Sequence, residues 1–305
     1  MSITITQLRS FLAVARTGSV SGAADELVVT QPSVSAAVTA LSREVGVSLT
    51  ERVGRNIRLS AAGSAFEPYA TDVIGLLEQG LREAREAAEV ADRELRIAAV
   101  TTAGEYLVPA LMRAFGDRHP DIVLTAEVGN RGRVLGLVRD HEVDVGIGGR
   151  PPEDGRLLGT RLIDNEIVVI APRDDPLAGA TVDTAELRGR TWLLREQGSG
   201  TRTMCERFLE EHDLAPKILT LGSNGAIKHA VRAGLGVALQ SRVAVELELR
   251  TALVATISLK DALPARHWYV LRTSVGVLRE PAREFIAFIE SDEALAALER
   301  ARLNQ

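Results

Sequence analysis

Apolar residues recur at intervals of three and four along the N-terminal part of the chain, and this spacing predicts three helices. The first covers about residues 4–17 with Thr6 as its N-cap, and the second covers about residues 22–27. Thr30 caps a third helix that runs to about Val45. Short helices joined by tight turns are typical of DNA-binding motifs that place one helix in a groove of the duplex.

The third predicted helix has one apolar and one polar face. Its apolar positions form a stripe of Val34, Val38, Leu41 and Val45. Small polar side chains at a helix N-terminus can approach base edges without bulk. We therefore expect DNA contacts from this helix start and from the cap of the second helix, namely Ser19, Thr30, Gln31, Pro32, Ser33, Ser35 and Thr39. The alternative is a solvated polar face without a ligand.

A short hairpin with Gly54 at its tip follows and carries Arg52, Arg55 and Arg58. Phosphates or the adjacent minor groove are natural partners for these arginines. An arginine-rich composition is the alternative, since the whole chain has only three lysines. Residues 1–59 hold six arginines and four carboxylates, a net charge of +2, although the whole chain carries −5. Phosphate binding needs a local basic face rather than a basic total.

Residues 60–89 form one long helical pattern with an apolar seam. Its positions alternate at three and four residues and comprise Phe66, Tyr69, Val73, Leu76, Gly80 or Leu81, Ala84 and Ala87. An isolated helix with such a stripe needs a partner, so we expect dimerisation through it. Pro68 requires that this helix starts near Ser64 or kinks at the proline.

From Arg93 the pattern changes to alternating strands and helices, which predicts an α/β fold with mainly parallel sheets. A helix is expected over Glu105 to Phe115 and a strand over Arg161 to Ala171. About 210 residues are enough for two lobes. The expected domains are residues 1–59 for DNA binding, 60–90 as linker and 91–305 for an effector, with lobe 1 at about 91–165 plus 268–305 and lobe 2 at about 166–267.

Two predicted strands end in segments suited to ligand binding, because ligands of open α/β sheets lie at the carboxyl ends of strands. The glycines of the segment 198–202 let a backbone approach a ligand, and a helix N-terminus favours an anion. An ordinary strand-to-helix cap is the alternative. We expect a small phosphorylated or carboxylated effector to contact Thr101, Thr102, Arg150, Arg195, Gly198, Ser199, Gly200, Thr201, Arg202 and Asn224.

Other chemistry finds little support in the residue pattern. The five histidines are scattered, and none is spaced as a metal ligand with Cys205, so we expect no metal and no cofactor. The lone cysteine forms no internal disulfide, which fits a cytoplasmic location, and is expected to be a buried hydrophobe, with redox sensing as the alternative. No secretory signal and no membrane-spanning run is expected.

The N-terminal segments Ala23–Leu27, Thr30–Ser35, Gly46–Leu49, Glu51–Arg52 and Leu59–Gly63 resemble those of the LysR-type transcriptional regulators. This resemblance implies a winged helix-turn-helix, a long linker helix and a two-lobed α/β effector domain similar to periplasmic binding proteins. It also implies double-stranded promoter DNA and RNA polymerase as partners, and tetramers built as dimers of dimers.

Three C-terminal segments, Gly149–Pro152, Arg195–Arg202 and Gly222–Lys228, are similar to those of RuBisCO-operon regulators and their sulfur-metabolism relatives. The function expected from this resemblance is effector-modulated promoter binding, without enzymatic activity. A solute-binding module without DNA function is the alternative, which the first 60 residues oppose. An α/β enzyme is a weaker alternative, because no nucleophile–base pair or cofactor fingerprint is present.

Overall fold

The computed structural model describes residues 2–54, 56–89 and 92–303, which fall into two compact units, Met1–Ala91 and Asp92–Gln305. The elements of the first unit are α1 (Ile5–Thr17), α2 (Val20–Leu27), α3 (Gln31–Val45), β1 (Thr50–Val53), β2 (Asn56–Leu59) and α4 (Ala61–Ala87). Among the described residues, no helix has the length and apolar character needed to cross a membrane.

The three short helices surround one apolar core, and each begins at a hydroxyl cap. The first cap is Thr4 and not the expected Thr6: its hydroxyl accepts from the Gln7 amide, and the Gln7 side chain accepts from the Thr4 amide. This reciprocal pair satisfies two otherwise unbonded N–H groups, which Thr6 could not do from inside the helix. Thr30 caps α3 as expected.

Helix α4 spans Ala61–Ala87, close to the pattern expected over residues 60–89. Of the two alternatives for Pro68, a start near Ser64 is therefore excluded, and the proline lies inside the helix. One face packs on the core of the first unit, where the rings of Phe66 and Phe11 meet edge to face at 5.7 Å. Several positions of the expected seam remain exposed on the other side, and they include Tyr69, Val73 and Leu81.

The second unit contains, in chain order, strands and helices that form two lobes. The first run is β3 (Arg93–Val100), α5 (Thr101–Tyr106), α6 (Val108–Arg118), β4 (Ile122–Gly129), α7 (Arg131–Arg139), β5 (Val145–Gly148) and β6 (Leu157–Asp164). The next is β7 (Ile167–Pro172), β8 (Thr181–Val182), β9 (Thr191–Arg195), α8 (Gly200–Glu211), β10 (Lys217–Leu221), α9 (Asn224–Arg232), β11 (Ala238–Ser241), α10 (Glu246–Arg250) and β12 (Val254–Leu259). The chain ends with β13 (His267–Thr273), α11 (Glu280–Ile289) and α12 (Asp292–Leu303), and short 3₁₀ turns cover Thr184–Leu187 and Arg242–Ala244.

The first lobe is built on a five-stranded sheet in the order β4-β3-β5-β13-β6, and the second on the order β11-β7-β12-β8. Strands β9 and β10 form a parallel pair that joins the second sheet through a bridge between Trp192 and Val237. The expectation of mainly parallel sheets holds for only half of the strand pairs that the structure describes in the second unit: β3–β4, β3–β5, β9–β10 and β8–β12 are parallel. Strand β13 is antiparallel to both its neighbours, and β7 is antiparallel to β11 and β12. Strand β13 enters the first sheet directly from the second lobe, without the crossover helix that usually precedes a parallel strand.

The chain crosses between the lobes twice, and the two crossings are bonded to each other. The Asn165 amide donates to the Arg266 carbonyl at 2.9 Å, and the Ser241 hydroxyl donates to the Asn165 side chain. The first crossing also divides the single strand expected over residues 161–171 into two strands, β6 in the first lobe and β7 in the second. The helix expected over residues 105–115 is also divided, at Leu107, because Pro109 in the next turn lacks the N–H that would continue it.

Cys205 lies in the apolar core of the second lobe beside Trp192 and Phe208. Burial raises the pKa of its thiol to about 12, so the thiol stays protonated at neutral pH. Because the thiolate is the reactive form, this burial opposes the redox-sensing alternative.

Substitution of Gly63 tests the packing at the start of α4. A Cβ atom there would lie 1.9 Å from the Leu49 carbonyl oxygen, whereas a Cβ at Gly80 of the same helix meets no atom within 4 Å. We expect Gly63→Ala to destabilise the first unit by about 1–3 kcal/mol or more. Gly80→Ala should raise helix stability by about 0.5–1 kcal/mol. Chemical denaturation followed by circular dichroism measures both, and an equal effect of the two variants would contradict the packing described.

The buried thiol of Cys205 predicts a stability change at high pH. Its pKa is raised in the folded state from 9.0 to about 12, so the unfolded chain loses this proton first as pH rises. The contribution is fully present below pH 9 and is lost between pH 9 and 12, with a slope of at most about 1.4 kcal/mol per pH unit. Urea unfolding measures the free energy of unfolding of wild type and Cys205→Ala across this range. The wild type should lose stability relative to the variant as the pH rises, because only the wild type has the thiol. If the free energies of unfolding of the two proteins changed equally with pH, the burial of the thiol would be refuted.

Candidate functional site

The first candidate surface is the N-terminal half of α3. The buried side chains Val34, Val38 and Leu41 anchor the helix, while the side chains on its other face are exposed, namely Gln31, Pro32, Ser33, Ser35, Ala36 and Thr39. The Thr30 hydroxyl lies 2.8 Å from the Ser33 hydroxyl and fixes the helix start. A row of short polar groups on one exposed helix face can enter a groove and meet base edges.

Ser19 has a different position from the α3 residues. Its hydroxyl accepts from the Gly22 amide at 3.0 Å and caps α2, and the residue is half-buried. The structure therefore gives Ser19 a capping role at the start of α2.

The β1–β2 hairpin presents its arginines unequally. Arg58 donates from Nε to Glu51 Oε1 at 2.7 Å, directly across the hairpin, where the two residues are register partners. Arg52 is exposed and forms no ion pair within the part of the chain that the structure describes. Arg55 lies outside the described residues. Arg52 is thus the described cation of this hairpin that is available for phosphate.

The second candidate site is a cleft between the two lobes of the second unit. It is lined by Val100, Thr101, Thr102, Asn130, Arg131, Gly149, Arg195, Glu196, Ser199, Gly200, Thr201, Arg266 and Trp268. The N-termini of α7 and α8 open onto it from opposite lobes. The cavity at its centre has a volume of about 30 Å³, room for about one water molecule. Larger molecules enter only when the lobes or these side chains move.

Two arginines that the sequence analysis did not single out, Arg131 and Arg266, face this cleft from different lobes. Among the described residues, neither guanidinium has a carboxylate within 4.0 Å: Arg131 donates to the Arg150 carbonyl at 2.7 Å, and Arg266 approaches the Met204 sulfur at 3.7 Å. Burial lowers the pKa of Arg266, and the charge of Arg131 lowers it further. Burial also lowers the pKa of Arg131.

Glycines make the approach of these two side chains possible. A Cβ at Gly149 would lie 3.3 Å from the Arg266 Nη2 and 3.4 Å from the Arg131 Nη1, so both guanidinium groups reach the same short stretch of backbone. A Cβ at Gly198, whose φ is +83°, would lie 3.1 Å from the Asn130 Nδ2. The absence of side chains here lets the lobes close tightly.

Arg195 lies deepest in the cleft, with only 3% of its side chain exposed. Its guanidinium forms two bonds to Glu196, at 2.7 and 2.9 Å, and donates to Asn224 at 2.6 Å. It also reaches the Thr101 hydroxyl of the other lobe at 3.4 Å. Asn224 in turn donates to Thr102 and Glu105 of that lobe at 3.1 Å each. Arg195 is therefore already neutralised, and it holds the lobes together.

The expected effector residues divide into three groups. Thr101, Thr102, Arg195, Ser199, Gly200 and Thr201 line the cleft. Gly198 packs on Asn130, and Asn224 is completely buried behind Arg195. Arg150 and Arg202 do not reach the cavity: Arg150 is exposed beside Glu153, and Arg202 is held by Glu206, Thr220 and the Arg195 carbonyl.

Asn130 and Arg131 come directly after β4, just as Thr101 comes directly after β3. Their position at a strand end is therefore the sequence signal that indicates them as cleft residues. Arg266 precedes β13 on a segment without a helix, and no sequence signal indicates its position. Among the described residues, no group of three or more acidic, histidine or cysteine side chains is placed to hold a metal ion.

Comparisons with known proteins agree with this arrangement. Residues 5–64 match the bacterial regulatory helix-turn-helix family of the lysR type, and residues 88–293 match the LysR substrate binding domain. The RuBisCO operon transcriptional regulator of Allochromatium vinosum is 38% identical over 300 residues, covering 96% of this chain and 98% of that protein. The regulator CfxR of Cupriavidus necator is 36% identical over 288 residues, covering 93% and 89%.

Solved structures give the same assignment. The regulatory domain of Synechocystis CcmR in complex with 2-PG has a TM-score of 0.61 and 31% identity, covering 64% of this chain and 95% of that one. A Corynebacterium glutamicum OxyR mutant has a TM-score of 0.62 and 26% identity, covering 100% and 95%. The chain belongs to the LysR family of transcriptional regulators.

Proposed function

We propose that this regulator binds promoter DNA through α3 and the β1–β2 hairpin, and that a small phosphorylated or carboxylated anion in the interlobe cleft modulates the binding. The observation that carries the effector class is the pair of guanidinium groups, Arg131 and Arg266, that face one cleft without a carboxylate partner among the described residues.

Electrostatics favours an anion in the cleft. Three guanidinium groups and one carboxylate line it, a net charge of +2. Half-buried charges without a counterion are costly, and a bound anion removes this cost. Guanidinium groups also match phosphate and carboxylate geometry, since each presents paired donors. The complex of the related CcmR domain with 2-PG supports this ligand class.

The interlobe bonds of Arg195 and Asn224 can couple effector binding to the arrangement of the two lobes. They hold the lobes in the closed arrangement described, with Arg131 and Arg266 on either side of the cleft. An anion that contacts both arginines binds this arrangement more tightly than an open one. Such a difference in affinity is what a ligand needs to shift the balance between arrangements.

The DNA-binding unit requires more than one copy. With a net charge of +2 over residues 1–59 and one hairpin arginine already paired to Glu51, a single copy should bind DNA weakly. The exposed apolar face of α4, with Tyr69, Val73 and Leu81, supplies a dimer interface in our proposal. The two DNA-binding units of such a dimer, held at a fixed spacing, then bind DNA with higher effective affinity than one unit.

We infer the remaining assignments from the family. They are a cytoplasmic location, a role without catalysis, assembly of dimers into tetramers, and contact with RNA polymerase at the promoter.

The cleft arginines are tested by calorimetry with 2-PG and with inorganic phosphate on the full-length protein. We expect Arg131→Gln and Arg266→Gln to weaken binding of 2-PG by about 10- to 100-fold each, since a hydrogen bond to a charged group contributes about 1.5–3 kcal/mol. Arg150→Gln is the matched control, because this exposed arginine lies outside the cavity. Equal binding by all variants would remove the cleft assignment, and 2-PG binding lost equally in the control would do the same.

The DNA surface is tested by salt-titrated gel shifts with the promoter DNA of the neighbouring genes. Gln31→Ala should reduce discrimination between specific and scrambled DNA by about 1–3 kcal/mol if Gln31 reads a base. Arg52→Gln should weaken both complexes alike and lower the salt slope by about one. Ser64→Ala, an exposed change on α4, is the control. No sequence-specific complex for wild type at low salt would contradict the proposal.

A further inference from the structure

A second cavity lies beside the two lobe crossings, and we refer to it as the hinge pocket. It is lined by Tyr106, Leu107, Ile163, Asp164, Asn165, Glu166, Ser241, Arg242, Val243, Trp268, Leu295, Leu298 and Glu299. Its volume is about 220 Å³, compared with about 30 Å³ for the cleft. An apolar cavity of about 150 Å³ is enough to hold benzene, so the hinge pocket has room for an aromatic ring and a short chain.

The walls of the hinge pocket are mainly apolar and come from both lobes. Leu107, Ile163, Trp268, Leu295 and Leu298 belong to the first lobe, and Val243 to the second. Leu295 is 46% exposed at the mouth although it is a large apolar side chain. Concave apolar surface with a few polar groups at its rim is the usual composition of a small-molecule site.

The charge of the hinge pocket is opposite to that of the cleft. Three carboxylates and one guanidinium line it, a net charge of −2. The guanidinium, Arg242, is already engaged by Glu166 and Glu246, at 3.3 Å each. Asp164 is likewise engaged, by Arg161 and His267. Among the described lining residues no cation is free, so an anionic ligand would meet repulsion here.

Glu299 differs from these paired groups. It is exposed on α12 at the rim of the pocket and forms no ion pair in the described part of the chain. A carboxylate beside an apolar cavity matches a ligand whose apolar body ends in an ammonium group.

We propose that the hinge pocket is a second ligand site, separate from the anion cleft, that takes a small amphipathic amine. The apolar body lies against Leu107, Leu295, Leu298 and the Trp268 indole, and the ammonium group faces Glu299. This site is independent of the proposed effector, because neither its apolar wall nor its charge suits the anion.

Trp268 connects the two sites physically, since this residue lines both the cleft and the hinge pocket and is only 4% exposed. A ligand in the hinge pocket therefore contacts a wall of the cleft. The same indole offers a local reporter, and the other tryptophan, Trp192, lies fully buried in the second lobe and serves as an internal reference.

The test is fluorine NMR of full-length protein labelled with 5-fluorotryptophan, with the two signals assigned by Trp192→Phe. We expect 2-phenylethylamine at millimolar concentration to shift the Trp268 signal saturably and to leave the Trp192 signal in place. Phenylacetate has the same body with the opposite charge, and ethanolamine has the ammonium group without the ring. Neither should produce the shift.

Two variants locate the site. Leu295→Arg should abolish the shift by filling the mouth and repelling the ammonium group, while Leu158→Arg, a similarly exposed leucine of the first lobe, should keep it. Glu299→Gln should weaken the amine about two- to fivefold, the range of an exposed ion pair. Circular dichroism confirms folding of each variant. No saturable shift, an equal response to phenylacetate, or binding unchanged by Leu295→Arg would each overturn the proposal, whatever the outcome of the 2-PG titrations.

Discussion

The contact between the two lobes depends on one buried guanidinium. Arg195 ends a strand of the second lobe, is neutralised by its neighbour Glu196, and reaches the Thr101 hydroxyl of the first lobe. Asn224 extends this network to Thr102 and Glu105. A buried charge must keep its partners, because losing one leaves an uncompensated ion that costs about 3–5 kcal/mol. The closed cleft is therefore a defined arrangement, held by bonds that cross from one lobe to the other.

The arginines around the cleft have two different roles that the sequence alone does not distinguish. Arg195 is bonded to protein groups and holds the lobes together, whereas other arginines are available to a ligand. Arg195 and Arg202 face their own carboxylates, while Arg131 and Arg266 approach Gly149 without any among the described residues. Counting arginines along the chain treats these groups alike. Only the pairing in three dimensions identifies the two that are available to an anion.

The sequence predicts well what local spacing determines. The stripe of Val34, Val38 and Leu41 and the cap at Thr30 suffice to place α3, and strand-to-helix junctions suffice for Thr101 and Ser199. Pairings that connect distant segments are different. Arg266 enters the cleft because its segment returns from the second lobe beside Asn165, about a hundred residues earlier in the chain. The antiparallel pairing of β13 in the first sheet depends on the same return of the chain, which no local pattern indicates.

The two cavities of the second unit share Trp268 and carry opposite charge, +2 in the cleft and −2 in the hinge pocket. Under our two proposals, a molecule suited to one cavity is repelled by the other. Linkage requires that if one ligand changes the affinity of the second, the second changes the affinity of the first by the same factor. The lobe crossings at Asn165 and Arg266 lie beside both sites, so any rotation about them alters both cavities together. In this geometry the regulator can combine two chemically unlike signals through one hinge.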